Sequence, residues 1–174
     1  MSSDDPLRPV VDAAMEGDDV ALGELVRLTQ AAVWQVCTSL GSPGEVDDLV
    51  QDTYVRAFSG LARYRGEAPV RVWLLSIARR VCADHVRRRQ RRRRLLDRVG
   101  RHPADHAVPA PEVVDDLLGA IAPERREAFV LTQLLGLSYE EAAAVVGCPI
   151  GTIRSRVARA RADLMAMVAR ADAR

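Results

Sequence analysis

The stretch LSYEEAAAVVGCPIGTIRSRVARAR, residues Leu137–Arg161, is the most informative part of the chain. Ser138 and Glu141 form the S-x-x-E pattern of a capping box, which predicts that a helix begins there. Gly147 predicts the end of that helix, because glycine readily takes the left-handed conformation that follows a last turn. Pro149 follows where a second helix would begin. The sequence therefore predicts two helices joined by a tight turn.

The second predicted helix separates apolar from polar side chains. An apolar stripe at helical spacing is formed by Ile153, Val157, Ala160 and Leu164. The residues that lie off this stripe can face solvent, and they are Thr152, Arg154, Ser155, Arg156 and Arg159. A short helix, a glycine-containing turn and a second helix with exposed hydrogen-bonding residues is the plan of a helix-turn-helix. An ordinary helical hairpin with a solvated basic face is the alternative.

The composition favours an all-α protein. Of the 174 residues 48% are hydrophobic but only 4% are aromatic, and alanine, valine and leucine dominate, which favours helices over sheets. No apolar run approaches the roughly 18 residues of a membrane span. The first ten residues, MSSDDPLRPV, are acidic and lack the apolar core of a signal peptide. We therefore expect a cytoplasmic protein without a membrane span.

Few residues suggest catalysis or metal binding. Cys37, Cys82 and Cys148 are widely spaced and odd in number, which indicates neither a zinc site nor a disulfide framework, and small buried side chains are their expected role. The histidines, including His102 and His106, offer no convincing metal spacing. The chain contains no nucleophile elbow, phosphate-binding glycine loop or paired His–Glu zinc motif. We expect a protein that is not an enzyme and that has no catalytic residue, metal or cofactor.

The net charge of +1 conceals alternating blocks of charge. Residues 1–70 carry 5 Arg against 12 acids, and residues 71–101 carry 12 Arg against 2 acids. Residues 102–150 then carry 2 Arg against 8 acids, and residues 151–174 carry 6 Arg against 2 acids. Two separated basic blocks predict two contacts with a polyanion, and the acidic blocks predict contacts with something else.

The first basic block follows a series of predicted helices. Apolar periodicity predicts a helix over about 19–41, and a capping box at Ser42–Glu45 predicts another that runs to about Gly60. The segment Ala62–Pro69 is predicted to be a loop by its glycine and proline content. A long helix is then predicted from about Val70 to Leu96. Together these elements predict a helical domain over about 10–96.

A linker and a second helical domain follow. Residues 97–111 contain Gly100 and three prolines, and these 15 residues could span about 50 Å if extended. The second domain, residues 112–170, ends in the helix-turn-helix. It is close to the lower size limit for independent folding, so we expect modest stability without a partner.

Two surfaces of the first domain have opposite charge. The run Arg87–Arg94 suits phosphates, although a solvated tail is the alternative reading. Tyr64, in the loop before that helix, could stack on an unpaired base. The acidic surface is one face of the predicted helix that ends near Gly60, and it presents Asp47, Asp48, Gln51 and Asp52. These side chains would repel phosphate, so the face is either simply exposed to solvent or binds a protein partner that carries arginines.

Three motifs in this order resemble the extracytoplasmic-function sigma factors of bacterial RNA polymerase. They are DDLVQDTYVRAF (47–58), WLLSIARRVCADHVRRR (73–89) and GTIRSRVARAR (151–161), and the resemblance covers about residues 20–96 and 112–168. It implies that the first domain is region 2 and the second is region 4. One position departs from the family, because Arg80 stands where its I-A-R-N motif often has asparagine.

The resemblance also implies partners and site residues. The acidic face would dock on the β′ clamp helices of core RNA polymerase, and region 4 would contact the β flap. Contacts to the −10 promoter element would come from Tyr64, Arg65, Arg79, Arg80, Arg87 and Arg88. Contacts to the −35 element would come from Thr152, Arg154, Ser155, Arg156 and Arg159. Promoter DNA and an anti-sigma factor are the other partners it suggests.

Two alternative functions remain at this stage. A stand-alone helix-turn-helix regulator usually dimerises on a palindrome, but nothing in the chain resembles a dimerisation heptad. An arginine-rich RNA-binding adaptor would use Arg87–Arg94 and leave the helix-turn-helix without a role. Transcription with purified core polymerase on promoter DNA separates the three functions, because only a sigma factor predicts specific initiation.

Overall fold

A computed structural model of the chain describes residues 5–42, 44–98 and 117–172, and the regular structure of these ranges is helical. The first unit contains α1 (Arg8–Met15), α2 (Asp19–Leu40), α3 (Val46–Gly60), a 3-10 turn (Leu61–Arg63) and α4 (Val70–Arg98). The second contains α5 (Pro123–Phe129), a π-helical turn (Val130–Leu134), α6 (Tyr139–Val146) and α7 (Ile150–Asp172). The all-α prediction is confirmed.

The domain boundaries predicted from the sequence stay a prediction. Of the linker 97–111, the first two residues belong to the last turn of α4, and residues 99–111 lie outside the described residues. His102 and His106 lie there too. The second unit is described from residue 117, where a helical turn at 117–119 precedes α5.

The first helix was missed by the sequence analysis, whereas the second begins where it was predicted, at Asp19. α1 carries Pro9 in its first turn, where the missing amide costs nothing, and buries Val11 and Ala14. Asp18 caps α2, because its Oδ1 accepts hydrogen bonds from the amides of Val20 (2.8 Å) and Ala21 (3.3 Å).

The capping box predicted at Ser42–Glu45 is wrong. α3 begins later, at Val46, and Glu45 occupies the N-cap position. The Glu45 carboxylate points instead to α4, where it lies 2.6 Å from Nε2 of His85 and 3.6 Å from Nη1 of Arg89. The imidazole of His85 and the guanidinium of Arg89 thus engage this carboxylate in place of a backbone amide, so contacts distant in sequence replace the local one.

The helix-turn-helix has the predicted form. Ser138 Oγ accepts a hydrogen bond from the Glu141 amide (3.1 Å), and the Glu141 carboxylate accepts one from the Ser138 amide (2.8 Å), which completes the capping box. Gly147 ends α6 in the left-handed conformation, with φ of 76°. In α7 the stripe of Ile153, Val157 and Ala160 is buried.

The two units share one hydrophobic core. α6 packs against α4, and α5 packs against α2, so that buried residues of both units form a continuous cluster. Among the described residues, three polar contacts join the units. Arg79 Nε lies 2.6 Å from Glu127 Oε1, Arg71 Nη2 donates to the Leu135 carbonyl (2.7 Å), and Arg126 Nη1 donates to that of Ser39 (3.4 Å). The second unit, predicted to be modestly stable alone, is thus buttressed by the first.

A smaller core lies at the other end of the first unit. It joins α1 and α2 to the 3-10 turn and to the first residue of α4. The members from the loop side are Leu61, Tyr64 and Val70, and those from the helices include Val11 and Leu25. This core fixes the segment that connects α3 to α4.

The cysteines partly follow the prediction. Cys37 on α2 and Cys82 on α4 are buried in the shared core, whereas Cys148 is only partly buried at its edge. Contact with the Cys37 thiol, together with burial, raises the pKa of Cys82 well above its ordinary range. Cys82 therefore stays protonated and behaves as a small apolar side chain.

α4 extends beyond the core as a basic helix. Its side chains from Arg87 to Leu95 are exposed, and this part includes the arginine run predicted to meet phosphates. Neither α4 nor any other described helix combines the length and the apolar character needed to cross a bilayer.

Two glycine substitutions should change stability in opposite directions. Gly147→Ala should destabilise the protein by about 1–2 kcal/mol, because the added Cβ meets no atom within 4 Å but disfavours the left-handed backbone. Gly23→Ala, at an open, exposed position inside α2, should stabilise it by about 0.5–1 kcal/mol. Urea unfolding followed by circular dichroism measures both, and a shift in the same direction would contradict this account of Gly147.

Candidate nucleic-acid and protein interfaces

The acidic face lies on α3. Asp47, Asp48 and Gln51 are exposed in its first turns, while Asp52 is half-buried and pairs with Arg56 (3.4 Å). The face borders a cavity of about 390 Å³, lined by Asp48, Leu49, Gln51, Asp52, Val55 and His85. Val55 is 55% exposed, so an apolar side chain stands within the acidic surface. Exposed carboxylates beside an exposed valine suit a basic protein partner with some apolar surface.

The loop before α4 is tightly held. The Tyr64 hydroxyl donates a hydrogen bond to the Ala68 carbonyl (2.6 Å), and the Tyr64 ring lies 5.0 Å from that of Trp73. Arg65 and Glu67 are exposed on the outer side of the loop. A cavity of about 480 Å³ opens beside it, lined by Arg63, Tyr64, Arg65, Glu67, Ala68, Val72, Trp73, Ser76 and Ala144. Ala144 belongs to α6, so the second unit closes one side of this cavity.

Tyr64 itself belongs to the smaller core. Its side chain is only 8% exposed, and burial raises the pKa of its hydroxyl. Stacking of Tyr64 on an unpaired base stays a prediction, and it would require the ring to become more accessible than it is in this arrangement.

The arginines predicted to contact the −10 element fall into two groups. Arg79 is partly buried between the units and paired with Glu127, whose side chain is only 12% exposed. The others face solvent: Arg80 donates to Ser76 Oγ (3.2 Å), Arg87 pairs with Asp84 (2.6 Å), and Arg65 and Arg88 are exposed. Solvent-facing guanidinium groups along one helix can meet a phosphate backbone.

The residues predicted for the −35 element lie along α7. Arg154, Ser155 and Arg159 are exposed, and Thr152 and Arg156 are partly exposed. Ser155 Oγ donates to the Thr152 carbonyl (3.0 Å), and the Arg154 guanidinium lies 5.9 Å from the centre of the Tyr139 ring. Because the buried stripe of α7 packs on α5, the polar side chains remain on its outer side. This is the geometry in which a recognition helix enters a major groove.

Two residues near the loop were missed by the sequence analysis. The Asp5 Oδ2 accepts a hydrogen bond from the Val70 amide (2.6 Å), and the Arg8 guanidinium lies 5.6 Å from the centre of the Tyr64 ring. Pro9 and the apolar residues after it were the available signal for α1. A contact between residues 65 positions apart has no local signature.

The part of the chain that the structure describes offers no group of three or more His, Cys, Asp and Glu side chains that could hold a metal ion. What its surfaces offer is charge and hydrogen bonding. An acidic helix face, a long basic helix and an exposed polar face on the second helix of a helix-turn-helix are typical of a helical DNA-binding protein that also has a protein partner.

Comparison with known proteins identifies the class more closely. Residues 25–92 match the sigma-70 region 2 family, and residues 112–164 match the sigma-70 region 4 family. The chain is 42% identical to the ECF RNA polymerase sigma factor SigC of Mycobacterium tuberculosis, over 95% of this chain and 92% of that protein. It is 34% identical to the sigma factor CnrH of Cupriavidus metallidurans, over 97% of both chains.

Solved structures agree with these matches. CnrH in complex with the cytosolic domain of CnrY superposes with a TM-score of 0.73 at 34% identity, covering 92% of this chain and 96% of that one. The sigma factor RpoE of Bartonella quintana, in complex with the anti-sigma factor NepR, gives a TM-score of 0.69 at 32% identity, covering 84% and 95%. The chain belongs to the extracytoplasmic-function sigma factors, which bind RNA polymerase and direct promoter-specific initiation.

Alanine substitutions at Arg154 and at the neighbouring Ile153 should impair the protein in different ways, the first in DNA binding and the second in folding stability. Arg154→Ala should lose about 1–3 kcal/mol of −35 DNA binding at one base position, because an exposed guanidinium can pair with a guanine. Ile153→Ala should lose about 2–5 kcal/mol of folding stability, because Ile153 is fully buried. Base-substituted −35 duplexes and thermal melts measure the two effects. If Arg154→Ala lowers the melting temperature and keeps the base preference, the assignment of the reading face is wrong.

Proposed function

We propose that separate exposed surfaces of this sigma factor bind core polymerase and promoter DNA. The acidic face of α3 (Asp47, Asp48, Gln51 and Asp52) docks on the β′ clamp helices, and an apolar surface of the second unit contacts the β flap. The observation that supports this division is that the two sets of residues lie on different units. The acids lie on α3, which packs on α2 and α4, and the recognition residues lie on α7, which packs on α5 and α6, so one molecule can bind protein and DNA at once.

We assign the −10 element to the loop 64–69 and to α4, and the −35 element to α7. Arg65, Arg80, Arg87 and Arg88 present cations to the backbone or bases, and Arg79 joins them once it leaves Glu127. Under this assignment residues 10–96 act as region 2 and residues 112–170 as region 4. The chain has no catalysis of its own and works in the cytoplasm, where polymerase and promoter meet.

An anti-sigma factor is a further proposed partner. RpoE, which this chain resembles over 84% of its length, was solved with the anti-sigma factor NepR. That superposition extends over both units, so the arrangement of the two units here resembles that of a sigma factor held by an inhibitor.

Binding to a promoter requires this arrangement to open. Promoter elements centred at −10 and −35 are about 85 Å apart along B-DNA, at about 3.4 Å for each base pair. We call the arrangement seen here, with α6 packed on α4, the closed arrangement. In it Ala144 closes one side of the cavity beside the loop, and Glu127 forms an ion pair with Arg79. The second unit must leave α4 before both elements can be contacted together.

The contact between the units is suited to separation. Burial lowers the pKa of Arg126, and its Nε finds no hydrogen-bond partner among the described residues. The Arg126 bond to Ser39 is long, at 3.4 Å. A buried donor without a partner costs about 1–3 kcal/mol, and opening would return it to water.

Transcription with purified core polymerase tests the proposed function. Core polymerase with this chain should initiate at promoters selected from a library with randomised −10 and −35 segments, and core polymerase alone should not. Binding of a palindromic duplex by a dimer of the free chain, with no initiation, would favour a stand-alone regulator.

Reversing charge on the acidic face should weaken core binding. Asp48→Arg with Gln51→Arg should lower affinity for core polymerase at least tenfold without unfolding α3, because both side chains are exposed. The matched control is Glu16→Arg with Gln30→Arg, the same change of charge at exposed positions outside this face. Fluorescence anisotropy with labelled protein measures both, and equal affinities would show that the acids are merely solvated.

Removing the Glu127 carboxylate should favour the open arrangement. Glu127→Ala should increase the radius of gyration of the free chain in X-ray scattering, and freeing Arg79 should strengthen binding of single-stranded −10 DNA. Glu124→Ala, an exposed position on the same helix, serves as the control. Unchanged dimensions and DNA affinity in Glu127→Ala would mean that this ion pair does not hold the units together.

A further inference from the structure

We propose that the N-terminal segment, residues 5–15, is a positioning device for the loop 64–69, with Asp5 and Arg8 as its positioning residues. By fixing the shape of the loop they set its selectivity for −10 bases. The proposal rests on the −10 role assigned to this loop above. Three sets of contacts support it: one at the end of the loop, one at its tip and one beneath it.

Asp5 fixes the end of the loop. One carboxylate oxygen accepts the Val70 amide at 2.6 Å, and the other accepts the Leu7 amide at 3.1 Å. The Val70 amide belongs to the first turn of α4, where backbone donors have no partner within the helix. A carboxylate there also interacts favourably with the positive end of the helix dipole. Asp5 therefore caps a helix from 65 residues away and determines where the loop ends.

Arg8 supports the tip of the loop. Its guanidinium lies over the Tyr64 ring, and its Nε lies 2.8 Å from Asp12 Oδ1, which holds the side chain in place. Gly66 lies directly against it: a Cβ at Gly66 would be 2.0 Å from Arg8 Nη1. Gly66 also has φ of +71°, so the tip needs glycine for its backbone conformation, and any side chain there would displace the Arg8 guanidinium.

The smaller core fixes the loop from beneath. Val11 of α1 is fully buried in the same cluster as Tyr64 and Val70. The bond from the Tyr64 hydroxyl to the Ala68 carbonyl then closes the loop on itself. Four loop residues line the cavity of about 480 Å³, namely Tyr64, Arg65, Glu67 and Ala68. A site formed by a loop recognises a base only as accurately as its supports hold that loop.

The test measures −10 selectivity in the holoenzyme. A promoter selected with the wild-type holoenzyme, and its single-base −10 and −35 variants, serve as probes in transcription assays. Asp5→Ala and Arg8→Met should each reduce discrimination among −10 variants severalfold, because the loop that contacts the bases is then no longer held in one shape. Discrimination among −35 variants and affinity for core polymerase should not change. Asp5→Ser, which restores a capping oxygen, should recover the −10 discrimination.

The chain offers a matched control for each variant. Asp18→Ala removes the cap of α2 and should lower thermal stability about as much as Asp5→Ala, while leaving −10 selectivity intact. Arg27→Met removes an exposed arginine that pairs with Glu24 on the same helix, as Arg8 pairs with Asp12. If Asp5→Ala fails to fold, Arg8→Met decides the question.

Two results would overturn the proposal. One is unchanged −10 discrimination in Arg8→Met and in folded Asp5→Ala. The other is an equal loss in Asp18→Ala, which would make the effect one of general stability. Failure of the proposed function looks different, because the wild-type holoenzyme would then not initiate at any selected promoter.

Discussion

The burial of α4 between the two units is the constraint on which the rest of the structure depends. One helix contributes Leu75, Ala78 and Val81 to the shared core, and it continues past that core as a row of exposed arginines. Because the buried part contacts both α2 and α6 in the closed arrangement, the position of the basic part is fixed there relative to the acidic face and to α7. A change in the packing on α4 therefore alters how the charged surfaces are presented, even though none of those charges lies in the core.

The elements that the sequence predicted well are those whose causes are local. The capping box at Ser138 and the turn at Gly147 need residues only three or four positions apart, so the pattern contained the whole interaction. The failed capping box at Ser42 had the same pattern, but Glu45 lies beside His85, 40 residues away in sequence, and that contact prevails. Local patterns are reliable only where no side chain distant in sequence competes for the same group.

In the candidate site, too, features with local causes were predicted and features that depend on distant contacts were not. The acids of α3 and the arginines of α7 were found because amphipathic spacing shows which side chains leave the core. Asp5 and Arg8 were not found, because a cap 65 residues distant and a guanidinium against Gly66 exist only in three dimensions. Nor did periodicity show that α6 would pack on α4, since the same apolar stripes satisfy either two separate cores or one shared core.

Under the −10 role proposed for Arg79, its ion pair accounts for how a closed arrangement gives way to DNA. A guanidinium forms charge-assisted hydrogen bonds of similar quality with a carboxylate and with a phosphate, so exchanging Glu127 for a backbone phosphate leaves Arg79 paired in both states. The apolar contact between α4 and α6, by contrast, has no such replacement once the units separate. Since that contact is lost on opening, the polymerase and promoter surfaces together must supply at least as much binding energy as the two units lose. The packing of the two units therefore sets a minimum binding free energy. Simultaneous contact with polymerase and with both promoter elements reaches it more easily than contact with one of them alone.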